Sequence, residues 1–317
     1  MPTGSRIRVA DPVLTTVAIG YHNAEYVGHE LFPEVPVTAR AGKIIEFDKR
    51  EFKLYRTKRA PGSNIKRIEV GYDGKPYAMT QDALEGLVPI EDDEEAKAVP
   101  GIDLGMEAVE GVMETIALGK EYEAASIARN PANYDADHKI DLAAAKWSDD
   151  ANDPIKDLKA GKEAIRASIG VDPNRVVFSP KAWSALTENA KVKDRYKHTT
   201  SQTITTDMIA AAIEVEKVVV GKAVFIEEGA ADDTLGDVWG RDVVMAYVGA
   251  SKSDKGKAKG RSKRRPSFGY TYCLKNHPLV EKPYYENNCR SWIYQVINEN
   301  TPVLTGVTAG YLFQNVA

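Results

Sequence analysis

One stretch of the sequence is too long and too highly charged to be buried along its full length within one folded unit. Residues 42–79, "GKIIEFDKREFKLYRTKRAPGSNIKRIEVGYDGKPYAM", alternate apolar and charged side chains on both sides of the turn-forming sequence "APGSN". The apolar positions that predict two strands are Ile45, Phe47, Ile65, Ile68, Val70 and Tyr72. An isolated two-stranded hairpin is only marginally stable in water. We therefore predict a projecting hairpin that rests on a neighbouring molecule.

Residues 1–40 contain short apolar pieces interrupted by Pro12, Pro33 and Pro36. Proline fixes its own φ angle and favours an extended conformation in the residue before it. This segment is a poor place for a compact core. It is predicted to be an arm that lies on another surface.

The stretch from Asp103 to Asn130 has helical spacing. Its apolar stripe consists of Val109, Val112, Met113, Ile116 and Ala117. Asp103 is a suitable N-cap, and Asn130-Pro131 ends the pattern. Such a helix would be about 40 Å long at the usual rise per residue.

From about residue 140 to 248 the pattern changes to mixed helices and strands. "DPIKDLKAGKEAIRASIG", "KAWSALTEN" and "TTDMIAAAIEV" predict helices, whereas "NRVVFSP", "EKVVVGKAVFI" and "DVVMAYV" predict strands. The closing "SWIYQVINENTPVLTGVTAGYLF" predicts further long strands. No internal repeat is visible.

Positive charge is concentrated in a single short stretch. Its cations are Lys255, Lys257, Lys259, Arg261, Lys263, Arg264 and Arg265. Residues 252–265 carry a net +7, whereas the whole chain carries −4, so the remainder carries −11. A dedicated nucleic-acid binder would spread positive charge over a face of a basic domain. The composition argues against that class.

Other classes are also disfavoured by the sequence. The opening residues contain Arg6, Arg8 and Asp11 before any apolar region of a secretory signal could form. No apolar run approaches the length of about 20 residues that crosses a bilayer. The two cysteines, Cys273 and Cys289, suit a chain made in a reducing cytoplasm. We expect them to be small buried residues, with a disulfide between them as the less favoured alternative.

The sequence carries no motif of an active site. His22, His29 and Glu30 lie close in sequence, but their spacing matches no metal-binding pattern. There is no phosphate-binding glycine loop and no nucleophile elbow. The acidic runs 91–95 and 232–233 are predicted to be solvated loops. We predict no catalytic residue, cofactor or metal, and we do not expect an enzyme.

Aromatic residues near the basic stretch include Tyr270, Tyr272 and Trp292. Single-strand binders combine basic grooves with stacking aromatics. These aromatics have strand spacing, so a half-buried sheet is the better interpretation.

Several separated stretches, in order, resemble one family. "LFPEVPV" followed by "GKIIEF" is similar to the amino-terminal part of the major capsid proteins of tailed bacteriophages. "VEKVVVGKAV" and "DVWGRDVVMAYV" resemble the middle of that family. The closing stretch runs from "SFGYT" to "AGYLFQN", which is also similar.

The resemblance implies an α+β fold of the Hong Kong ninety-seven type. It implies an N-terminal arm (1–40), an extended loop (41–79), and a peripheral domain formed by 80–135 and 270–317 with a spine helix at about 103–130. Residues 136–269 would form an α/β axial domain.

The function implied is that of a shell subunit. Copies would form pentamers and hexamers that close into an icosahedral head around double-stranded DNA. The partners would be further copies, a portal protein, a separate scaffolding protein and in some cases decoration proteins. The resemblance places the chain in the virion, after assembly in the bacterial cytoplasm. The alternatives are an encapsulin-type compartment shell and, remotely, a nucleic-acid-binding protein that uses the basic stretch.

Two groups of cations are candidate contact residues. In the hairpin they are Lys53, Arg56, Lys58 and Arg59, which could contact a neighbouring subunit. Some members of the fold crosslink such lysines to asparagines, but no motif here assigns Asn287 or Asn288 to that role. The cations of 252–265 could meet DNA or acidic residues of another subunit, or form a solvated loop.

Overall fold

The computed structural model describes residues 10–46, 54, 58, 73–99, 101–197, 203–227, 229, 234–249 and 267–317. In these parts the chain forms two large β-sheets, two short two-stranded ribbons and a long helix that contacts both sheets. The helices are α1 (Pro12–Gly20), α2 (Gly28–Leu31), α3 (Ile90–Lys97), α4 (Leu104–Arg129), α5 (Pro154–Ile169), α6 (Pro180–Glu188), α7 (Ala190–Tyr196) and α8 (Thr206–Ile213). The strands are β1 (Glu34–Val37), β2 (Ala41–Glu46), β3 (Asp73–Ala78), β4 (Thr80–Pro89), β5 (Lys139–Asp141), β6 (Arg175–Phe178), β7 (Lys217–Val220), β8 (Val224–Phe225), β9 (Gly236–Asp237), β10 (Val243–Ala246), β11 (Gly269–Leu274), β12 (Leu279–Val280), β13 (Tyr284–Glu286), β14 (Ser291–Leu304) and β15 (Gly310–Gln314).

The long helix α4 forms as its sequence predicts. The side chain of Asp103 accepts hydrogen bonds from the backbone N–H groups of Gly105 and Met106 at 3.0 and 3.1 Å. Its apolar stripe, with Val109 fully buried, packs on the large sheet that contains β14. The helix ends at Arg129, before Asn130-Pro131.

The first sheet is built around β14. β4 pairs with β14 along one edge, while β13, β12 and β11 pair along the other, and β1 extends the sheet beyond β11. The long closing strand was predicted, but β4 was not. Most of its side chains are exposed and it contains Gly86, so "TQDALEGLVP" has no strand periodicity. Pairing with β14 over ten residues holds it in place.

The second sheet has the strand order β5-β15-β10-β6-β7 and is covered by helices. All four residues of β10 are fully buried. The predicted helix over 153–170 is confirmed as α5, with Asp153 as its N-cap and Gly170 in the left-handed conformation (φ 67°) at its end. The mixed α/β pattern of the middle of the chain is thus confirmed.

The end of the chain differs from the predicted division. Residues 270–317 were assigned to the peripheral part, yet β15 pairs with β10 and β5 of the second sheet. Packing explains why the end of the chain joins the second sheet. The ring centroid of Phe313 lies 6.0 Å from that of Trp147 in the core of the α/β unit. Residues 310–314 therefore belong with the unit that was predicted to end at 269.

The arm differs as well. It was predicted to need another surface, but residues 10–37 pack on their own chain: β1 pairs in parallel with β11, and Leu31 and Phe32 are fully buried in the large core. The prolines fit these local structures. Pro12 begins α1 after the cap Asp11, and Pro36 lies in a strand at the end of the sheet.

A buried carboxylate fixes the arm to the long helix. Glu121 of α4 accepts hydrogen bonds from the backbone N–H groups of Val27 and Gly28 at 3.0 and 2.7 Å. It also accepts one from the indole Nε1 of Trp239 at 2.8 Å. A Cβ atom on Gly28 would lie 2.6 Å from the carboxylate, so only glycine allows this approach. Three separated segments thus meet at one side chain.

A second carboxylate fixes the arm to the second sheet. Glu30 contacts Arg175 of β6 at 3.1 Å and is paired with Lys217 of β7. The imidazole of His29 lies 3.4 Å from the same carboxylate. The hydrogen bond from His29, together with Lys217, lowers the pKa of Glu30 from 4.5 to about 2 despite the opposing effect of burial.

Replacing Glu121 by alanine should destabilise the subunit strongly. The change leaves three buried N–H donors without a partner, each costing about 1 to 3 kcal/mol, so we expect a loss of at least ~3 kcal/mol. Urea unfolding of the unassembled subunit measures it. Glu110→Ala, at an exposed position of the same helix, should change stability by less than ~0.5 kcal/mol. Equal stability of the two variants would contradict the role of Glu121.

The ion pairs of Glu30 predict a pH dependence. Because its folded-state pKa of about 2 lies below the ordinary 4.5, ionised Glu30 stabilises the fold above pH 4.5. This contribution is lost as the pH falls towards 2. Glu30→Gln should lower stability by about 2 to 3 kcal/mol at pH 7, and the difference from the unmodified protein should shrink below pH 4.5.

Unfolding midpoints between pH 2.5 and 7 measure this difference, with the exposed Glu25→Gln as the matched control. A difference that stays constant over this range would contradict the assignment.

Candidate assembly surfaces

The described part of the predicted hairpin is its base. β2 and β3 are antiparallel and pair from Ala41 with Ala78 to Glu46 with Asp73. Ile45 lies in β2 as predicted, whereas Phe47 and the four later apolar positions fall outside the described residues. The pairing fixes where the intervening 47–72 leave and re-enter the body.

An ion pair holds this base on the first sheet. The guanidinium of Arg40 donates from Nε and Nη2 to the two carboxylate oxygens of Glu299 at 2.7 and 2.6 Å. Glu299 lies on β14 with its side chain only 3% exposed. A two-bond arginine–carboxylate contact fixes direction as well as distance.

Two further contacts support the base. The rings of Tyr77 in β3 and Tyr272 in β11 stack with centroids 4.8 Å apart and planes at 16°. The backbone N–H of Thr80 donates to the hydroxyl of Thr301 at 3.2 Å. Contacts with β11 and β14 therefore fix the position of the hairpin base.

The predicted contact residues of the hairpin are not brought together by the described structure. Lys53, Arg56 and Arg59 lie outside the described residues, and Lys58 is exposed. Their contact with a neighbour stays a prediction.

The seven cations of the basic stretch, residues 255–265, also lie outside the described residues. The two ends of this stretch meet, however. The backbone N–H of Gly249 donates to the Ser267 hydroxyl at 2.9 Å, and that of Phe268 donates to the Tyr247 carbonyl at 2.9 Å. Residues 250–266 thus leave and return at one point between β10 and β11.

The thiol of Cys273 is not activated for nucleophilic attack. Burial raises the pKa of the Cys273 thiol to about 11, which makes it a poor nucleophile. The described residues contain no group of three or more side chains that could hold a metal ion. Both cysteines are free. Cys273 is partly buried, but Cys289 is exposed, contrary to the expectation that both are buried.

The acidic run 91–95 is a helix and not the predicted loop. It forms most of α3, and none of its side chains is buried. The second acidic pair, 232–233, lies outside the described residues.

Large apolar side chains are exposed at several separate places in the described residues. Val13 of α1 is 66% exposed, Leu87 of β4 is 53% exposed and Leu235 beside β9 is 62% exposed. Single exposed apolar residues are ordinary, but these elements are candidate contact surfaces for other molecules. Sequence reasoning missed them because an isolated apolar residue carries no pattern. Over the described ranges, no helix has the length and apolarity to span a membrane.

Comparison with known proteins gives two kinds of match. Residues 133–248 match the family model described as phage major capsid protein E. The chain is 32% identical over 314 residues to the major capsid protein of Burkholderia phage BcepMu, covering 98% of each protein.

Solved structures agree with these matches. A phage-related protein from Bordetella bronchiseptica RB50 is 47% identical, with 98% of each chain covered and a TM-score of 0.81. The capsid of cyanophage P-SCSP1u shares the fold at 10% identity, with a TM-score of 0.56 over 93% of this chain and 89% of that one. The fold is thus of the predicted Hong Kong ninety-seven type. By its full-length similarity to a phage capsid protein, the chain belongs to the phage major capsid protein family.

Proposed function

We propose that this chain is the non-enzymatic structural subunit of an icosahedral phage head, assembling as pentamers and hexamers around double-stranded DNA. The anchored hairpin base is the observation that carries this proposal. The contact between Arg40 and Glu299 fixes β2 and β3 to the first sheet. Beyond that base lie 47–72, a segment whose charge pattern suits a contact with another molecule.

The hairpin is the proposed contact between subunits. Residues 47–72 contain eight basic and three acidic side chains. Two strands of this length would reach about 40 Å from the base. Many copies of a long hairpin resting on a neighbour would bury surface that stabilises the shell and not the single chain.

The proposed partners are further copies of this chain, a portal protein, a scaffolding protein and, in some heads, decoration proteins. The virion is the proposed location after assembly in the bacterial cytoplasm. The stretch 252–265 is proposed to contact anions, either packaged DNA or acidic side chains of another subunit. An encapsulin-type shell is disfavoured, because the relative that matches over nearly the whole chain is a phage major capsid protein.

Electron microscopy of the purified protein tests the assembly. We expect rings, shells or tubes that contain many copies, since the exposed apolar side chains and the hairpin need partners. A monodisperse monomer or dimer with salt-dependent affinity for DNA would contradict the proposal and favour a nucleic-acid-binding protein.

Removing the hairpin cations should block assembly without unfolding the subunit. We expect Lys53, Arg56, Lys58 and Arg59, all changed to glutamine, to reduce the yield of shells at least about tenfold, the equivalent of ~1.4 kcal/mol of contact energy. Shell yield is measured by sedimentation, and folding is checked by circular dichroism.

A matched control removes the same charge from the α/β unit. Its changes to glutamine are at the exposed Lys156, Lys159, Lys193 and Lys197. We expect this control to assemble normally. An equal loss in both variants would show that net charge, and not the hairpin, governs assembly.

A further inference from the structure

The acidic helix α3 is held by very little of the described structure. Its sequence is "IEDDEEAK" and it has no buried side chain. Its ion pairs are Lys97 with Asp93 at 2.7 Å and Arg290 with Glu91 at 3.2 Å, and all of these side chains except Asp93 are more than half exposed. An eight-residue helix that is polar all round is not stable by propensity alone.

A groove of about 360 Å³ runs beside this helix. Its lining residues are Asp93, Ala96, Lys97, Ile102, Asp103, Leu104, Pro283, Trp292 and Tyr294. The lining combines apolar side chains such as Ile102 and Trp292 with the carboxylates of Asp93 and Asp103 and the ammonium of Lys97. Burial, together with Asp93 and Asp103, raises the pKa of Tyr294. The groove thus combines apolar and polar surface and carries two carboxylates against one ammonium.

The described chain begins next to this groove and points towards it. Ala10 forms an antiparallel bridge with Glu281, and the Asp11 N–H donates to the Val280 carbonyl at 2.9 Å. In an antiparallel pair, residues before Ala10 run beside the residues that follow Glu281. Pro283, only two positions further on, is part of the groove wall.

Residues 1–9 suit the groove in length and in charge. They read "MPTGSRIRV" and contain two arginines and no acidic residue. In an extended segment Arg6 and Arg8 lie on one side, and Ile7 and Val9 on the other. Nine residues reach about 30 Å, more than enough to pass Pro283 and meet α3.

We propose that residues 1–9 lie in this groove of their own chain, with Arg6 and Arg8 against the carboxylates of Asp93 and Asp103. The fixed position of Ala10 favours the same chain over another copy, since it keeps the segment at a high effective concentration beside the groove. The segment covers part of Trp292 and adds positive charge beside α3, whose five carboxylates are accompanied by a single lysine within the helix. This docking does not depend on the proposed function.

Disulfide trapping in the full-length unassembled subunit tests the placement. Gly4→Cys, on the same side of the extended segment as Arg6 and Arg8, is combined with Ala96→Cys after Cys273 and Cys289 are changed to serine. We expect an intrachain disulfide in most molecules after mild oxidation, identified by peptide mass spectrometry. Gly4→Cys with Ser126→Cys, an exposed position near the other end of α4, is the control and should give at least tenfold less intrachain product.

Three other results of this experiment would each overturn part of the proposal. The two single-cysteine proteins can also be mixed in equal amounts and oxidised. Crosslinked dimers formed as efficiently as the intrachain disulfide would show that another copy fills the groove. An intrachain yield no higher than that of the Ser126 control would exclude docking. Changing Arg6 and Arg8 to glutamine should lower the yield severalfold, and an unchanged yield would refute the charge pairing.

Discussion

A buried carboxylate in the middle of α4 determines where residues 10–40 lie. Glu121 is 4% exposed, and a charge so far from water is stable only when donors surround it. The backbone of Val27 and Gly28 and the indole of Trp239 supply those donors. The contact in turn places Leu31 and Phe32 over the large core and brings Glu30 to Arg175 and Lys217.

The hairpin base depends on the same placement. β1 follows the buried pair Leu31 and Phe32 and adds to the edge of β11. From there the chain reaches Arg40 at the point where β14 presents Glu299. A loss of the arm's contacts would therefore move Arg40, which anchors the hairpin base. One continuous stretch of chain thus connects the buried interior of the subunit to its proposed contact surface.

Local signals allowed much of the fold to be predicted from the sequence, and contacts between distant segments account for most of what was missed. Asp103 with its apolar stripe, and Asp153 with Gly170, predicted α4 and α5 to within a residue at each end. β4 was missed because its place depends on β14, some 200 positions later. Among the candidate assembly surfaces, the hairpin was predicted from its charge pattern. The contact between Arg40 and Glu299 that anchors its base was not predicted, because nothing in the sequence links these two residues.

The arm and the segment 47–72 differ in how their apolar residues are distributed. The arm carries two adjacent large apolar residues, Leu31 and Phe32, and both are buried by contacts within the chain. The sequence 47–72 instead mixes apolar and charged residues along its whole length, a pattern that predicts incomplete burial by its own chain. Proline content misled the prediction for the arm because prolines indicate only the local backbone geometry. The distribution of apolar residues indicates whether a segment can be buried by its own chain.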